Sequence, residues 1–399
     1  MHVRRLNLVD FRNYESADLE FADGINVLVG SNGQGKTNLV EALGYLSTLG
    51  SHRVSGDLAL VRHGSTSAVV RALLGHADRE FLVELQINAG AANKAQVSRS
   101  PAKVRDLPRY FSSVLFAPED LALVRGDPSG RRRFLDELLV LRTPRLAGVV
   151  ADYERSLRQR NTLLKSARGL GSRAAGALST LEVWDERLID FGSQIVAARM
   201  ALVDDLRPRL EESYRAIVDA DHRPGITSQL SILSARPDAD DAGTERADTA
   251  LPEDLIRERF SSALAAVRSR ELERGLTLVG PHRDDAVFEL NGLPARGYAS
   301  HGESWSFALS LKLSSAALLR AEASSGDPVL ILDDVFAELD APRRRALALA
   351  IRDYEQVLIT AAVAEDVPEG LEGRTIRVKA GRIVDAGTDS APAGDEVAV

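Results

Sequence analysis

Cysteine is absent from this 399-residue chain. Disulfides, thiolate zinc sites and cysteine nucleophiles are therefore excluded. Tryptophan and methionine occur twice each, and aromatic residues make up 5% of the chain. No apolar run approaches the roughly 20 residues that span a bilayer. The start, Met1-His2-Val3-Arg4-Arg5-Leu6, lacks the apolar stretch of a secretory signal. A cytoplasmic location with no membrane partner is the expectation. An excess of basic charge is missing too, since the net charge is −8. That argues against bulk nucleic-acid binding unless cations cluster on one face. The remainder is ordinary for a globular chain, with 44% hydrophobic and 27% charged residues. The length suits two domains, or one large domain with an insertion.

The chemistry begins at Gly30-Ser31-Asn32-Gly33-Gln34-Gly35-Lys36-Thr37, which fits G-x-x-x-x-G-K-[ST]. Ile25 to Val29 reads as a short buried strand before it, and Leu39, Leu43 and Leu46 follow at helical spacing. Strand, glycine loop and helix are the context a phosphate-binding loop requires. The glycines let backbone N–H groups close around phosphate oxygens, and the helix N-terminus adds positive partial charge. Lys36 is expected on the β/γ-phosphates and the Thr37 hydroxyl on Mg²⁺, with Asn38 next in the site. ATP and Mg²⁺ are the expected ligands. An Asn-Lys-x-Asp guanine reader is missing, because Asn93-Lys94-Ala95-Gln96 lacks the acid.

The texture changes along the chain. Residues 3 to 113 read as mixed β structure, with Phe81, Val83, Leu85 and Ile87 alternating with polar residues. From about Pro118 to Arg274 the apolar residues step at helical spacing, as in Leu181, Trp184, Leu188, Phe191 and Ile195. The stretch 235–243 reads as a polar surface loop. Strand signals return after Leu276, and Ile376–Val378 with Arg382–Val384 predicts a terminal hairpin. The expected division is a head of residues 1–115 and 275–385, a helical insertion of 116–274, and a disordered acidic tail of 386–399. No heptad run is long enough for an extended coiled coil.

Val329-Leu330-Ile331-Leu332-Asp333-Asp334 has the form of a Walker B strand. Asp333 is expected to hold Mg²⁺, and Asp334 to be the base or orienter for the attacking water. Upstream, Ser300-His301-Gly302-Glu303 opens an apolar helix. It resembles the signature of ABC-type ATPases, in which Ser300 and Gly302 would cap the γ-phosphate held by another subunit. An ordinary N-cap with Glu three residues on fits the same letters. Phe336 to Asp340 resembles the D-loop of that class. The later strand ends Leu358-Ile359-Thr360-Ala361, without the histidine usual there in transporter subunits.

Five blocks now stand in one order: Phe11-Arg12-Asn13-Tyr14, the phosphate loop, Phe116-Ala117-Pro118-Glu119-Asp120-Leu121, Gly280-Pro281-His282-Arg283-Asp284-Asp285, and Leu332 to Asp340. Together they resemble the RecF family of bacterial recombination mediators. The resemblance implies an α/β fold, an ABC/SMC-like P-loop ATPase head with an inserted helical domain. It implies an ATP-dependent homodimer on duplex DNA, slow hydrolysis that resets it, and action at single-strand gaps with RecR and RecO to help load RecA. An ABC-type subunit of another complex, or an SMC-like structural chromosome protein, is the alternative.

One local charge excess bears on DNA directly. Between Arg125 and Arg173 twelve basic side chains stand against five acidic ones. Arg131, Arg132 and Arg133 are the candidate phosphate contacts there, with a solvated, ion-paired helical face as the other reading. The role of His282, Arg283 and Asp284 stays open between the nucleotide, an interface and a surface turn.

Overall fold

The structure, a computed structural model, describes all residues except 78, 169–174, 219, 236–242, 324–325, 372 and 385–399, and leaves aside the side chains of 175–179. The expected acidic tail and most of the expected loop at 235–243 lie outside the described residues. In chain order the strands are β1 His2–Phe11, β2 Tyr14–Glu20, β3 Gly24–Val29, β4 Ser67–His76, β5 Arg79–Asn88, β6 Lys94–Val97, β7 Ser100–Ala102 and β8 Ser113–Phe116. They continue with β9 Gly225–Leu230, β10 Glu245–Ala247, β11 Asp285–Leu290, β12 Leu293–Pro294, β13 Val329–Asp333, β14 Gln356–Ala361, β15 Arg374–Lys379 and β16 Arg382–Val384. The longer helices are α1 Lys36–Thr48, α2 Pro128–Arg142, α3 Leu146–Ala167, α4 Ala175–Ile217, α5 Glu253–Arg274, α6 His301–Glu322 and α7 Ala341–Ile351.

The chain forms two compact units. The first holds Met1–Leu107, Ser113–Pro118 and the described residues of Ser325–Val399. Its central sheet runs β16-β15-β3-β14-β13-β8, parallel throughout except for the β15–β16 hairpin. Every residue of β13 and β14 is buried, which is why Val329–Leu332 is a continuous apolar run. The hairpin turns at Ala380 and Gly381, both at positive φ, as a tight two-residue turn demands. A second, antiparallel sheet runs β2-β1-β4-β5-β6-β7. Its alternation is one-sided: Val70, Ala72, Leu74, Val83, Leu85 and Ile87 are fully buried, while the residues between them face outward.

The second unit holds Pro108–Ser112 and the described residues of Glu119–Ser324. The expected boundary at residue 275 does not divide the chain. Residues 275–323 belong to this unit, because β11 pairs with β9 and Phe288 stacks on Phe307 of α6 at 5.0 Å. Nor is the insertion wholly helical: it carries a four-stranded sheet, β10-β9-β11-β12. Its apolar core joins α4, α5 and the segment before β11 through Leu188, Val196, Phe260, Val267 and Val279. Leu181, Leu188 and Ile195 line the buried side of the 43-residue α4, as their spacing predicts.

Buried ion pairs cross this core. Arg160, with no exposed surface, bonds Asp185 at 2.7 Å, Glu271 at 2.6 Å and Thr277 at 2.8 Å. Arg199 bonds both oxygens of Asp136 at 2.7 Å and the Pro281 carbonyl at 2.7 Å. The Gly280–Asp285 block is therefore not a surface turn. Gly280 sits at φ +122, and a Cβ there would meet the Phe260 ring at 2.6 Å. His282 Nδ1 bonds the Tyr153 hydroxyl at 2.7 Å, and Asp284 Oδ1 accepts from Ser231 N and Oγ, each at 2.7 Å.

Burial decides both of these titrations. It lowers His282 to about 3, the Thr277 carbonyl opposing, and raises Asp284 to about 6 against the Ser231 donors and Arg199. The histidine's contribution to stability is full above its unfolded value of about 6.5 and drains away as pH falls. The aspartate's is full below about 4 and is lost as pH rises to about 6. Between about pH 4 and 6 the two slopes oppose each other. Asp284→Asn should therefore lose stability more steeply than the parent on acidification from pH 6 to 4, measured by urea unfolding at each pH. Parallel curves would show that Asp284 does not titrate in this window.

Candidate nucleotide site

The phosphate loop leaves the C-terminal end of β3 and enters α1 at Lys36. Its two ends are packed so closely that only glycine fits. A Cβ on Gly30 would lie 2.3 Å from the Val378 carbonyl oxygen of β15. One on Gly35, at φ +112, would lie 2.6 Å from the Tyr14 hydroxyl. Between them Ser31, Asn32 and Gly33 are exposed at the loop's apex. Gln34 anchors the loop to the terminal hairpin: its carbonyl accepts from Gly381 N at 3.0 Å, and its side chain accepts from Ala380 N. Asn38 bonds Asn13 at 2.7 Å and Arg53 at 2.9 Å.

Lys36 is 3% exposed. Its Nζ donates to the Gly30 carbonyl at 2.5 Å and to the Ser31 carbonyl at 3.4 Å. Among the described residues no carboxylate makes an ion pair with it. A cation this buried without an anion is costly, so the loop is built for an anionic ligand.

Beside it Asp333, also 3% exposed, ends β13. Its Oδ1 accepts from Thr37 Oγ1 at 3.0 Å and from Thr360 Oγ1 at 2.6 Å. Thr360 in turn accepts from the Asp334 backbone N–H at 2.9 Å. Asp334, just past the end of the strand, takes the left-handed conformation at φ 52. Burial raises its pKa, with Lys36 opposing the rise. One hydroxyl and one carboxylate 3.0 Å apart suit Mg²⁺, which keeps waters and takes its other ligands from substrate phosphates. No group of three His, Asp or Glu among the described residues offers an all-protein cage.

Two supports escaped the sequence reading. His52 Nε2 is buried without a hydrogen-bond partner, 3.9 Å from Asp333 Oδ2. Arg12 makes a two-pronged pair with fully buried Glu41 of α1, at 2.8 and 2.5 Å, and Ser51 also donates to Glu41. That pair explains the Phe-Arg-Asn-Tyr block, which braces the loop from behind. The absence of a histidine after β14 could have pointed to Thr360; nothing in the sequence pointed to His52.

The RecF/RecN/SMC N-terminal domain family matches residues 2–381. The DNA replication and repair protein RecF of Clavibacter michiganensis subsp. michiganensis is 63% identical over 396 residues, covering 97% of this chain and 96% of that one. This chain belongs to the RecF family. The RecF of Leifsonia xyli subsp. xyli is 60% identical over 385 residues, 96% of this chain and 100% of that one. A solved structure of the recombination mediator protein RecF with ATP, from the RecFOR pathway, superposes with a TM-score of 0.83 at 29% identity, covering 96% and 97%. An Smc head domain from Pyrococcus furiosus matches at a TM-score of 0.51 and 14% identity, over 96% of each chain, which shows the shared head fold.

In this RecF-family chain the other expected site residues have mixed fates. Ser300 is exposed and caps α6 through a full capping box: its hydroxyl accepts from Glu303 N, and Glu303 Oε2 accepts from Ser300 N at 2.8 Å. Gly302 lies in the first turn of α6. Asp340 caps α7 and pairs with Arg343 at 2.7 Å. The expected DNA contacts need correction. Arg131 is 4% exposed and forks onto Asp285 at 2.8 Å, so it cannot reach a phosphate. Arg132 donates to the Asp284 carbonyl, and Arg133 is exposed but pairs with Glu137 one turn on. The local charge excess made them look like a patch, but three consecutive residues of a helix point in three directions.

Thr360→Val leaves the Asp334 N–H unpaired and removes a donor from Asp333. It should cost about 2 kcal/mol of unfolding free energy, read as a lower urea midpoint. An unchanged midpoint would show that the hydroxyl is not the anchor.

Proposed function

We propose that this chain is an ATP-switched, DNA-binding recombination mediator that acts in repair and replication at single-strand gaps. The observation that carries the nucleotide half is buried Lys36 with no carboxylate paired to it, beside the Thr37–Asp333 hydrogen bond. In this reading Gly30 to Asn38 wrap the triphosphate of ATP, and Thr37 and Asp333 hold Mg²⁺, which neutralises phosphate charge. Asp334, just past the end of the strand that carries Asp333 and with its pKa raised by burial, orients the attacking water.

Family membership supports the rest. ATP drives a homodimer in which Ser300 and Gly302 of one copy, with Asp340, face the nucleotide of the other. The exposed capping serine suits that task through its hydroxyl hydrogen, which the capping box does not use. Hydrolysis is slow, stimulated by DNA, and resets the dimer rather than driving a motor. Duplex DNA and gap junctions, RecR and RecO are the partners, RecA loading is the outcome, and the cytoplasm is the location. No helix among the described residues is long and apolar enough to cross a membrane.

Solution mass with and without ATP–Mg²⁺ tests the switch. The parent should double in mass with ATP. Lys36→Ala should stay monomeric, with ATP affinity lowered about 100-fold; a dimer in that variant, or none in the parent, would overturn the reading. Asp334→Asn should bind ATP and dimerise normally while turnover falls roughly 100-fold or more. Normal turnover would assign the water to another group.

A further inference from the structure

Many of the arginines of α2 and α3 are taken up by ion pairs, some buried and some on the surface. Arg155 and Arg158 pair with Asp152 and Glu154, Arg142 with Asp205 and Glu322, and Arg160 is buried. In the first unit, by contrast, residues 94–105 carry Lys94, Arg99, Lys103 and Arg105 and no Asp or Glu. All four are exposed, and none has a side-chain partner among the described residues. They sit on the β6–β7 hairpin, the edge of the antiparallel sheet, and just beyond it.

The geometry sets three of them on or beside one hairpin. Ala95 pairs with Ala102, so Lys94 and Lys103 flank that pair on neighbouring strands. Ala95 is buried while Lys94 and Gln96 face outward. Ser98 and Arg99, both at positive φ, form the tight turn that holds Arg99 at the tip. From Lys94 to Val97 the strand rises about 10 Å, or about three phosphate steps along the axis of one DNA strand. Like charges on adjacent strands repel, and none of the four makes an ion pair among the described residues; a polyanion would relieve them.

We infer that the β6–β7 edge, through Lys94, Arg99, Lys103 and Arg105, binds the phosphate backbone of duplex DNA. The inference rests on the DNA-binding reading above and gives it a surface. None of the exposed large hydrophobic side chains lies in this segment. Base stacking on single strands and an apolar protein interface are both poorly served by it. Sequence-independent contact with phosphates is what the side chains can do. Edge lysines also deter strand pairing between molecules, so the test must separate the two roles.

The full chain carrying Lys94→Gln, Arg99→Gln, Lys103→Gln and Arg105→Gln is compared with the parent for duplex affinity across a salt series, with ATP–Mg²⁺ present. Arg155→Gln with Arg158→Gln is the control. If all four side chains contact phosphates, the slope of log K against log salt should become shallower by about 3 to 4 in the quadruple variant. The control should keep the parent slope, and ATP affinity should be unchanged in all three. The pairs Lys94→Gln/Lys103→Gln and Arg99→Gln/Arg105→Gln, each expected to remove about half of that change, serve if the quadruple variant aggregates. A parent slope retained in the variants would overturn the surface assignment and leave DNA binding standing. A parent with no salt-dependent duplex binding would overturn both. Tighter binding of a poly-glutamate peptide than of duplex to this edge would overturn it in favour of an acidic protein partner.

Discussion

Two hydrogen bonds that converge on one carboxylate oxygen organise the nucleotide site. Asp333 Oδ1 accepts a hydrogen bond from the hydroxyl of Thr37, at the start of α1, and another from that of Thr360, on β14. The bonds tie together three stretches that lie far apart in sequence but adjacent in the parallel sheet. Because β3, β14 and β13 are consecutive neighbours, the loop after β3 and the carboxylates after β13 emerge at the same edge. Functional groups at the carboxyl ends of parallel strands are the general solution of such sheets. Here the middle strand contributes the threonine that spans the gap. The same threonine accepts the Asp334 N–H, so one hydroxyl sets the positions of both acids.

A second layer holds the first in place. The glycines allow approach distances that no side chain would tolerate, with β15 on one side and Tyr14 on the other. Arg12 and Glu41 then fasten α1 to the β1–β2 turn. A buried pair of this kind contributes little net stability but is expensive to break. Its effect is to fix where the helix begins. Preorganised N–H groups and a fixed cation suit phosphate binding, because nothing need be rearranged when the anion arrives.

Charge in this protein is divided between structure and surface in a way that composition hides. The arginine-rich stretch of α2 and α3 lies in a chain of net charge −8 and resembles a nucleic-acid face. Much of it is internal mortar: Arg131 holds β11, and Arg160 joins α3, α4 and α5. Long stems bury well while the guanidinium finds several acceptors at once. The hairpin edge has no such acceptors, and its cations remain in water.

What the sequence determined by itself was whatever depends on neighbours in the chain. The phosphate loop, the Walker B strand, the terminal hairpin and the buried face of α4 were legible, because spacing along a strand or helix dictates which side chains share a face. The aspartates could be named from their place at the end of an apolar run. Three matters waited for the tertiary structure. The domain boundary moved, because β11 finds its partner β9 some 60 residues upstream. Thr360 and His52 joined the site through space and not through any motif. Arg131 left the DNA candidates when Asp285 came within 2.8 Å. In each case the deciding quantity was a distance between side chains remote in sequence, and burial then fixed whether a charge served the core or the solvent.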